Sequence, residues 1–433
     1  MLSIRSTEFA GAFLAGVVVL ATACTSSTNA TPARNALRIG VDLPLSGPEV
    51  RAATPALDGA RFFVQTHPTL DGFPVELVTA DDKADPARGV SNVDRFLADP
   101  SVVAMLGPFD GAVARKEIPV ANAAGLAMVS PATGNPCLTR DVFLPPLLNP
   151  ARTPVTCKQA ALPAASELRP SGINNFFRLT ATDDLQGAAA ADFAFDTLHV
   201  LRVAVISDRE TYGQGLASAF SARMARRGGS VVARLDLAGT DVASFLSRAK
   251  AEGAQAVYYG GSTEAGCAIR AQMSSVFAPG EGTPFLGGDG IAHDPLCVRA
   301  AGMNSAGIFA TVPFPDAASL PGASATIQAF HSAFGSTAAY GPYTMLAYDA
   351  AAVLYAAIDR AIQARPGALP ARTDVLAQVA QTSGLAGVTG VLGFDPNGDT
   401  TDRVITVFEA PSAGERAPWK AAGKIDYGVR LPY

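Results

Sequence analysis

From Leu37 onward, short apolar runs alternate with stretches in which apolar residues recur every three or four positions. LRIGVDLPL (37–45), VELVTA (75–80), SVVAMLG (101–107) and LAMVS (126–130) have the length and composition of strands. Between them, Leu57, Ala60, Phe63 and Val64, and then Val90, Val93 and Leu97, keep helical spacing. Asp85 stands where an N-cap is needed and Pro86 at the first helical position. A second series follows residue 175, with strands at RVAVISD (202–208), VVARLDL (231–237), AVYYGG (256–261), FLGGDG (285–290) and IFATV (308–312). Its helices are TYGQGLASAFSARMARR and DVASFLSRAKAEG, the latter capped by Asp241 and stopped by Gly253. This alternation predicts parallel sheets covered on both faces, in two α/β units.

The end of the chain breaks the rhythm. Residues 341–363 predict a long helix with Leu346, Ala350, Val353 and Ala357 on one face. A turn at Asp395-Pro396-Asn397-Gly398 and a strand at RVITVFEA (403–410) follow. Residues 138–175 are proline-rich and predict a long loop or insertion.

Ahead of Leu37 the signal is of another kind. Gly11–Ala23 reads GAFLAGVVVLATA, without a charge. It is too short to span a bilayer and suits the core of a secretory signal. Leu20-Ala21-Thr22-Ala23-Cys24 resembles the bacterial lipobox, which implies a lipoprotein signal peptide over 1–23 and lipidation of Cys24. Residues 24–36, rich in Ser, Thr, Asn and Pro, read as a flexible tether. The alternative is an ordinary signal peptide cut at Ala-Thr-Ala, with Cys24 incidental. Both readings place the chain outside the cytoplasm, and lipid would hold it at the membrane.

Of 433 residues, 48% are hydrophobic and 16% charged, which supports a large core. Net charge is −5 and pI about 5.5, with no basic cluster, so nucleic acid is excluded as a partner. Besides Cys24, the cysteines are Cys137, Cys157, Cys267 and Cys297, an even set that predicts two disulfides in an exported chain. Three connectivities exist. Cys137–Cys157 and Cys267–Cys297 are favoured because each stays within one stretch of the alternation. A zinc site is the rival, against which stand long spacings and no nearby His. His67, His199, His293 and His331 have no metal-ligand spacing, and no G-x-S-x-G occurs. Gly213-Gln214-Gly215 lacks the third glycine and acidic partner of a dinucleotide site. Neither an enzyme nor a cofactor is predicted.

Several segments together resemble the leucine/isoleucine/valine-binding protein family of type I periplasmic binding proteins. They are SGP (46–48), DDKADP (81–86), SPATGNPCLT (130–139), TDDLQGAAAA (182–191), YGQGLA (212–217), VYYGG (257–261), GGDGI (287–291) and GFDPNGD (393–399). Each is weak alone, but they run in the family's order from about 37 to 410. The resemblance implies two Rossmann-like lobes joined by three crossovers, near 180–184, 312–316 and 398–402. Lobe 1 would hold 37–182 and 316–399, and lobe 2 would hold 183–315 and 400–433. A small solute, an amino acid or analogue, would be trapped between the lobes and handed to an ABC permease. A sensory module of the same fold is the alternative.

The resemblance also assigns the cleft. Gly111, Ala132 and Gly134 fall on the positions that bind a ligand carboxylate, and Asp289 falls on the acceptor for its ammonium. Tyr212 matches a cleft tyrosine. Departures are marked: Gly111 replaces a serine, Gly134 a threonine, Ser262 a tyrosine and Ala52 another aromatic. Ser130, Thr133 or Asp110 would compensate from neighbouring positions, although Asp110 repels a carboxylate and suits a cation or polyol. Asp81-Asp82 reads as a turn-forming and capping pair.

Overall fold

A computed structural model describes residues 36–237, 241–278, 281–301, 305, 307–335, 340–412 and 418–430. The lipobox and Cys24 fall outside these residues. The unbroken apolar runs become central strands. Every residue of β4 (Val102–Leu106) and β11 (Ala256–Gly260) is buried, as expected for strands shielded on both faces.

The first sheet contains β1 (Leu37–Leu43), β2 (Thr69–Leu70), β3 (Phe73–Asp81), β4, β5 (Ala127–Ser130) and β8 (Phe176–Arg178), in the order β2-β3-β1-β4-β5-β8. All its pairs are parallel except β2 with β3. Asp71 and Gly72 between them both have positive φ, the geometry of a tight hairpin turn, which allows only an antiparallel partner. The surrounding helices are α1 (Val50–Thr66), α2 (Pro86–Ala98) and α3 (Gly111–Ala123). From far down the chain, α10 (Thr344–Ala364) and α11 (Arg372–Ala380) return to pack on β4 and β5. Asp85 caps α2 as predicted, its side chain accepting from Ala87 N.

The second sheet adds β9 (Arg202–Ser207), β10 (Ser230–Asp236), β12 (Phe285–Gly287), β13 (Ile308–Val312), β16 (Val404–Glu409) and β17 (Lys420–Asp426) to β11. Its order is β10-β9-β11-β12-β13-β16-β17. The all-parallel expectation fails at its end, where β16 runs antiparallel to β13 and β17 antiparallel to β16. These two strands follow each other too closely for the helical crossover that a parallel pair requires. Helices α4 (Asp183–Asp196), α5 (Thr211–Arg227), α6 (Val242–Ala251), α7 (Thr263–Val276) and α8 (Pro295–Ala301) flank the sheet. The remaining helices are α9 (Ala323–Phe334) and α12 (Tyr427–Arg430).

The chain passes between the sheets after β8, after β13 and before β16, and these passages are bonded to one another. Ala181 N–H donates to Pro313 O (2.8 Å), Arg178 N–H to Gly398 O (3.1 Å) and Thr406 Oγ1 to Phe314 O (2.8 Å). The stretch 138–175 is not featureless. It carries a small hairpin, β6 (Val142–Leu144) with β7 (Val155–Thr156), and its Cys157 is bonded to Cys137 just ahead of it. The other disulfide, Cys267–Cys297, joins α7 to α8. The last hairpin, β14 (Leu385–Ala386) with β15 (Val391–Leu392), lies between α11 and the final passage.

Candidate ligand-binding site

Strand ends of the two sheets face each other, and the predicted positions gather there. On the first side, α3 starts at Gly111 behind an extended Asp110. Asp110 Oδ1 accepts from Ala112 N (2.6 Å) and Val113 N (3.0 Å). The helix N-terminus, the natural seat for an anion, is thus already faced by a protein carboxylate. Beyond β5, Ser130 is fully buried, donating from Oγ to Pro108 O (2.7 Å) and accepting from Ala132 N (3.2 Å) and Thr133 N (3.0 Å). Thr133 Oγ1 is within donating distance of the carbonyls of Pro108 (3.0 Å) and Phe109 (3.1 Å). Ser130, Ala132 and Thr133 therefore spend these groups on holding the loop in shape.

Arg178 locks that loop from below. Wholly buried, it donates from Nη1 to the carbonyls of Thr133 (3.1 Å) and Asn135 (2.6 Å), and from Nη2 to Thr139 Oγ1. Its Nε donates to Asp399 Oδ1 (2.7 Å) on the last passage, so one guanidinium ties the loop to the hinge. Gly111 has room, since a Cβ there would stand 3.7 Å from Asn135 and 3.8 Å from Thr133. Gly134 has none. A Cβ there would lie 2.0 Å from Asp183 Oδ1, so the small residue and the carboxylate are fitted to each other.

On the second side, Asp289 opens a 3-10 turn after β12 and is saturated with donors. Its Oδ1 accepts from Tyr212 OH (2.6 Å) and Gln186 Nε2 (2.6 Å), and its Oδ2 accepts from Tyr343 OH. Tyr343 belongs to the N-terminus of α10, on the first side, so this bond crosses the seam. Tyr343 also packs edge-on to Phe109 (ring centroids 4.9 Å) and Phe314 (5.6 Å), giving the site an aromatic wall. Arg115 Nη2 reaches Thr211 Oγ1 (3.4 Å) and Arg51 pairs with Asp294 (3.4 Å) along the same seam.

Burial governs the electrostatics. Asp183, first residue of α4, is 4% exposed, and its carboxylate accepts no hydrogen bond among the described residues. Desolvation pushes its pKa well up, Asp289 and Asp184 add to this, and Arg178 opposes it. Glu49, before α1, is pushed up to about 7, first by burial and then by Asp110, Asp82 and Asp289. The phenols of Tyr212 and Tyr343 are held neutral by burial and by the neighbouring Asp289 carboxylate.

Asp110, Gly111, Gly134, Tyr212 and Asp289 thus meet at the seam, with Ser130 and Ala132 behind it. Ser262 is exposed; its N–H donates to Asp208 Oδ2 (3.1 Å) and its carbonyl accepts from Tyr259 OH (3.1 Å). Ala52 is half-buried on α1. Sequence reasoning missed Tyr343, Gln186, Asp183, Glu49 and Arg178. Gln186 and Asp183 lie inside the quoted TDDLQG segment, while Tyr343 was absorbed into the long helix pattern. Asp81 behaves as a turn former, accepting from Leu45 N, Ser46 N and Lys83 N. Among the described residues, no three His, Cys, Asp or Glu side chains are grouped to hold a metal ion, and no helix is long and apolar enough to cross a membrane.

The periplasmic binding protein family matches residues 36–415. An amino acid binding protein of Pseudomonas aeruginosa is 28% identical over 236 residues, and the match spans about half (54%) of each chain. The Leu/Ile/Val-binding protein homolog 1 of Brucella abortus is 26% identical over 402 residues, 91% of this chain and 93% of the relative. The crystal structure of an ABC transporter solute binding protein from R. palustris, in complex with 4-hydroxybenzoate, superposes with a TM-score of 0.72 at 17% identity. That superposition covers 91% of this chain and 97% of the other, and shows the shared fold. The family model spans most of the chain and the solved structures share its two mostly parallel α/β sheets, so the chain belongs to the periplasmic binding protein family and has its type I fold.

Proposed function

We propose that this chain is the extracytoplasmic solute receptor of an ABC importer, capturing an amino acid or close analogue between its lobes, 37–182 with 316–399 and 183–315 with 400–433. The observation that carries the reading is the Asp289 carboxylate, which takes Tyr212 and Gln186 from one side of the seam and Tyr343 from the other. A site completed only when the halves meet favours the closed state by contacts that the open state lacks, and a ligand touching both halves adds to that difference. The closed pair of lobes would then present one composite surface to a permease. Cys24 would carry the lipid that keeps the receptor at the membrane.

Calorimetry with leucine, isoleucine, valine and their amides, together with mass spectrometry of the recovered ligand, tests the reading. At least one compound should bind and be recovered unchanged. No binding across the panel, or chemical conversion of a bound compound, would defeat it. Cys24→Ala should move the protein from the membrane to the soluble fraction, and unchanged fractionation would remove the anchor.

A further inference from the structure

An amino acid ligand needs donors for its carboxylate, and this site is short of them. Ser130 Oγ and Thr133 Oγ1 are directed at backbone carbonyls, and the N–H groups of Ala132 and Thr133 are bound to Ser130. The first free amides of α3 are held by Asp110. The backbone N–H groups of Gly111 and Gly134 donate to no partner among the described residues, and they stand beside Asp110 and Asp183 respectively. Such amides suit an uncharged carbonyl, whereas a ligand carboxylate there would face two protein carboxylates.

Acceptors, by contrast, are in surplus. Asp289 already accepts from three neutral donors of the protein. Asp183 is different: it is buried, it accepts no hydrogen bond among the described residues, and its Oδ1 occupies the space over Gly134 in the middle of the predicted ligand loop. A buried carboxylate left in this state is costly unless a cation completes it. Asp110 adds a carboxylate from the facing side, Glu49 beside it is pushed up to about 7 by burial and then by Asp110, Asp82 and Asp289, and Phe109 and Tyr343 supply aromatic surface that favours an ammonium group.

We propose that the ligand is an organic ammonium ion without a carboxylate, a primary amine or an amino acid amide, whose cation pairs with Asp183. The assignment rests on the receptor reading above and narrows it.

Purified mature protein is titrated by calorimetry with matched compounds: leucinamide and 3-methylbutylamine against leucine and 4-methylpentanoate. The first two should bind at least about tenfold more tightly than the last two. Asp183→Asn should weaken amine binding by about tenfold or more, while the melting point without ligand stays nearly level, since an uncharged carboxyl is replaced by an amide of the same shape. Because burial raises the Asp183 pKa against Asp289 and Asp184, with Arg178 opposing, a bound cation must expel its proton. Binding of 3-methylbutylamine, charged throughout, should therefore strengthen as pH rises, with heat that depends on the buffer's ionisation enthalpy; Glu49, pushed up to about 7, loses its proton in the same direction, so the part owed to Asp183 is the part that Asp183→Asn removes. Equal or tighter binding of leucine, or unchanged amine affinity in Asp183→Asn, overturns the assignment. Binding of the acids alone refutes the cation and leaves the receptor intact; binding of neither series removes both.

Discussion

Arg178→Met tests whether the ligand loop and the hinge share one support. The guanidinium is fully buried and donates to four acceptors: two carbonyls and a hydroxyl of the loop segment, and Asp399 on the last passage. Leaving a buried acceptor unsatisfied costs about 1–3 kcal/mol each. Arg140 Nε, 3.2 Å from Asp399 Oδ2, still neutralises that carboxylate, so the full penalty of a stranded charge is avoided. Burying the methionine returns about 1–2 kcal/mol. The net expectation is a loss of about 3–5 kcal/mol, the range for breaking one partner of a buried ion pair. For a chain of this length the unfolding entropy is about 0.8 kcal/mol per degree, so the melting point should fall by about 4–6 °C. Urea denaturation and calorimetry measure this, and ligand affinity should fall alongside because the loop 133–135 loses its floor. Asp399→Asn should cost less in the Arg178→Met background than alone, by at least about 1 kcal/mol. A loss below about 1 kcal/mol, or strictly additive substitutions, would refute the shared support.

Two further expectations concern pH and redox state. Burial pushes Asp42 to about 6 and Asp82 to about 7, and Glu117 beside Asp42 is raised well above the carboxylate range. A folded pKa raised above the unfolded value contributes stability that is complete near pH 4 and lost as pH rises through 6–7. Urea midpoints should therefore fall from pH 5 to pH 8, and Asp82→Asn should flatten the fall; a rising curve contradicts the burial argument. Reduction should open the loops of sequence separation 20 and 30, each worth roughly 3–4 kcal/mol in the chain-entropy model. Non-reducing peptide mapping should recover both cross-linked pairs, and free thiols at those four positions would contradict the pairing.

Much of the architecture was legible from spacing. The helix read over 211–227 is the observed α5, and Asp85 and Asp241 both cap as placed. What escaped has physical reasons. β17 reads KAAGKID, whose small and charged residues fit a half-exposed edge and give no apolar run. β8 is three residues long and emerges from a proline-rich stretch. At the seam, Asp289 and Tyr212 were singled out through the family resemblance, whereas the Tyr343 partner lies 54 residues further along, on the side of the first sheet. No periodicity encodes such a meeting. Asp183 lies in a helix's first turn, where acids are ordinary; only its fit against Gly134 sets it apart.

The two disulfides sit in informative places. Cys137 follows the loop that carries Thr133 and Gly134 by a few residues, and the span closed by Cys267 and Cys297 contains Asp289. Each wall of the pocket is therefore riveted by its own covalent bond. A copy folded in a reducing compartment would keep its sheets yet lack both rivets, and would grip its solute loosely. On the receptor reading proposed above, export would then do more than deliver the chain, because oxidation outside the cytoplasm would close both rivets.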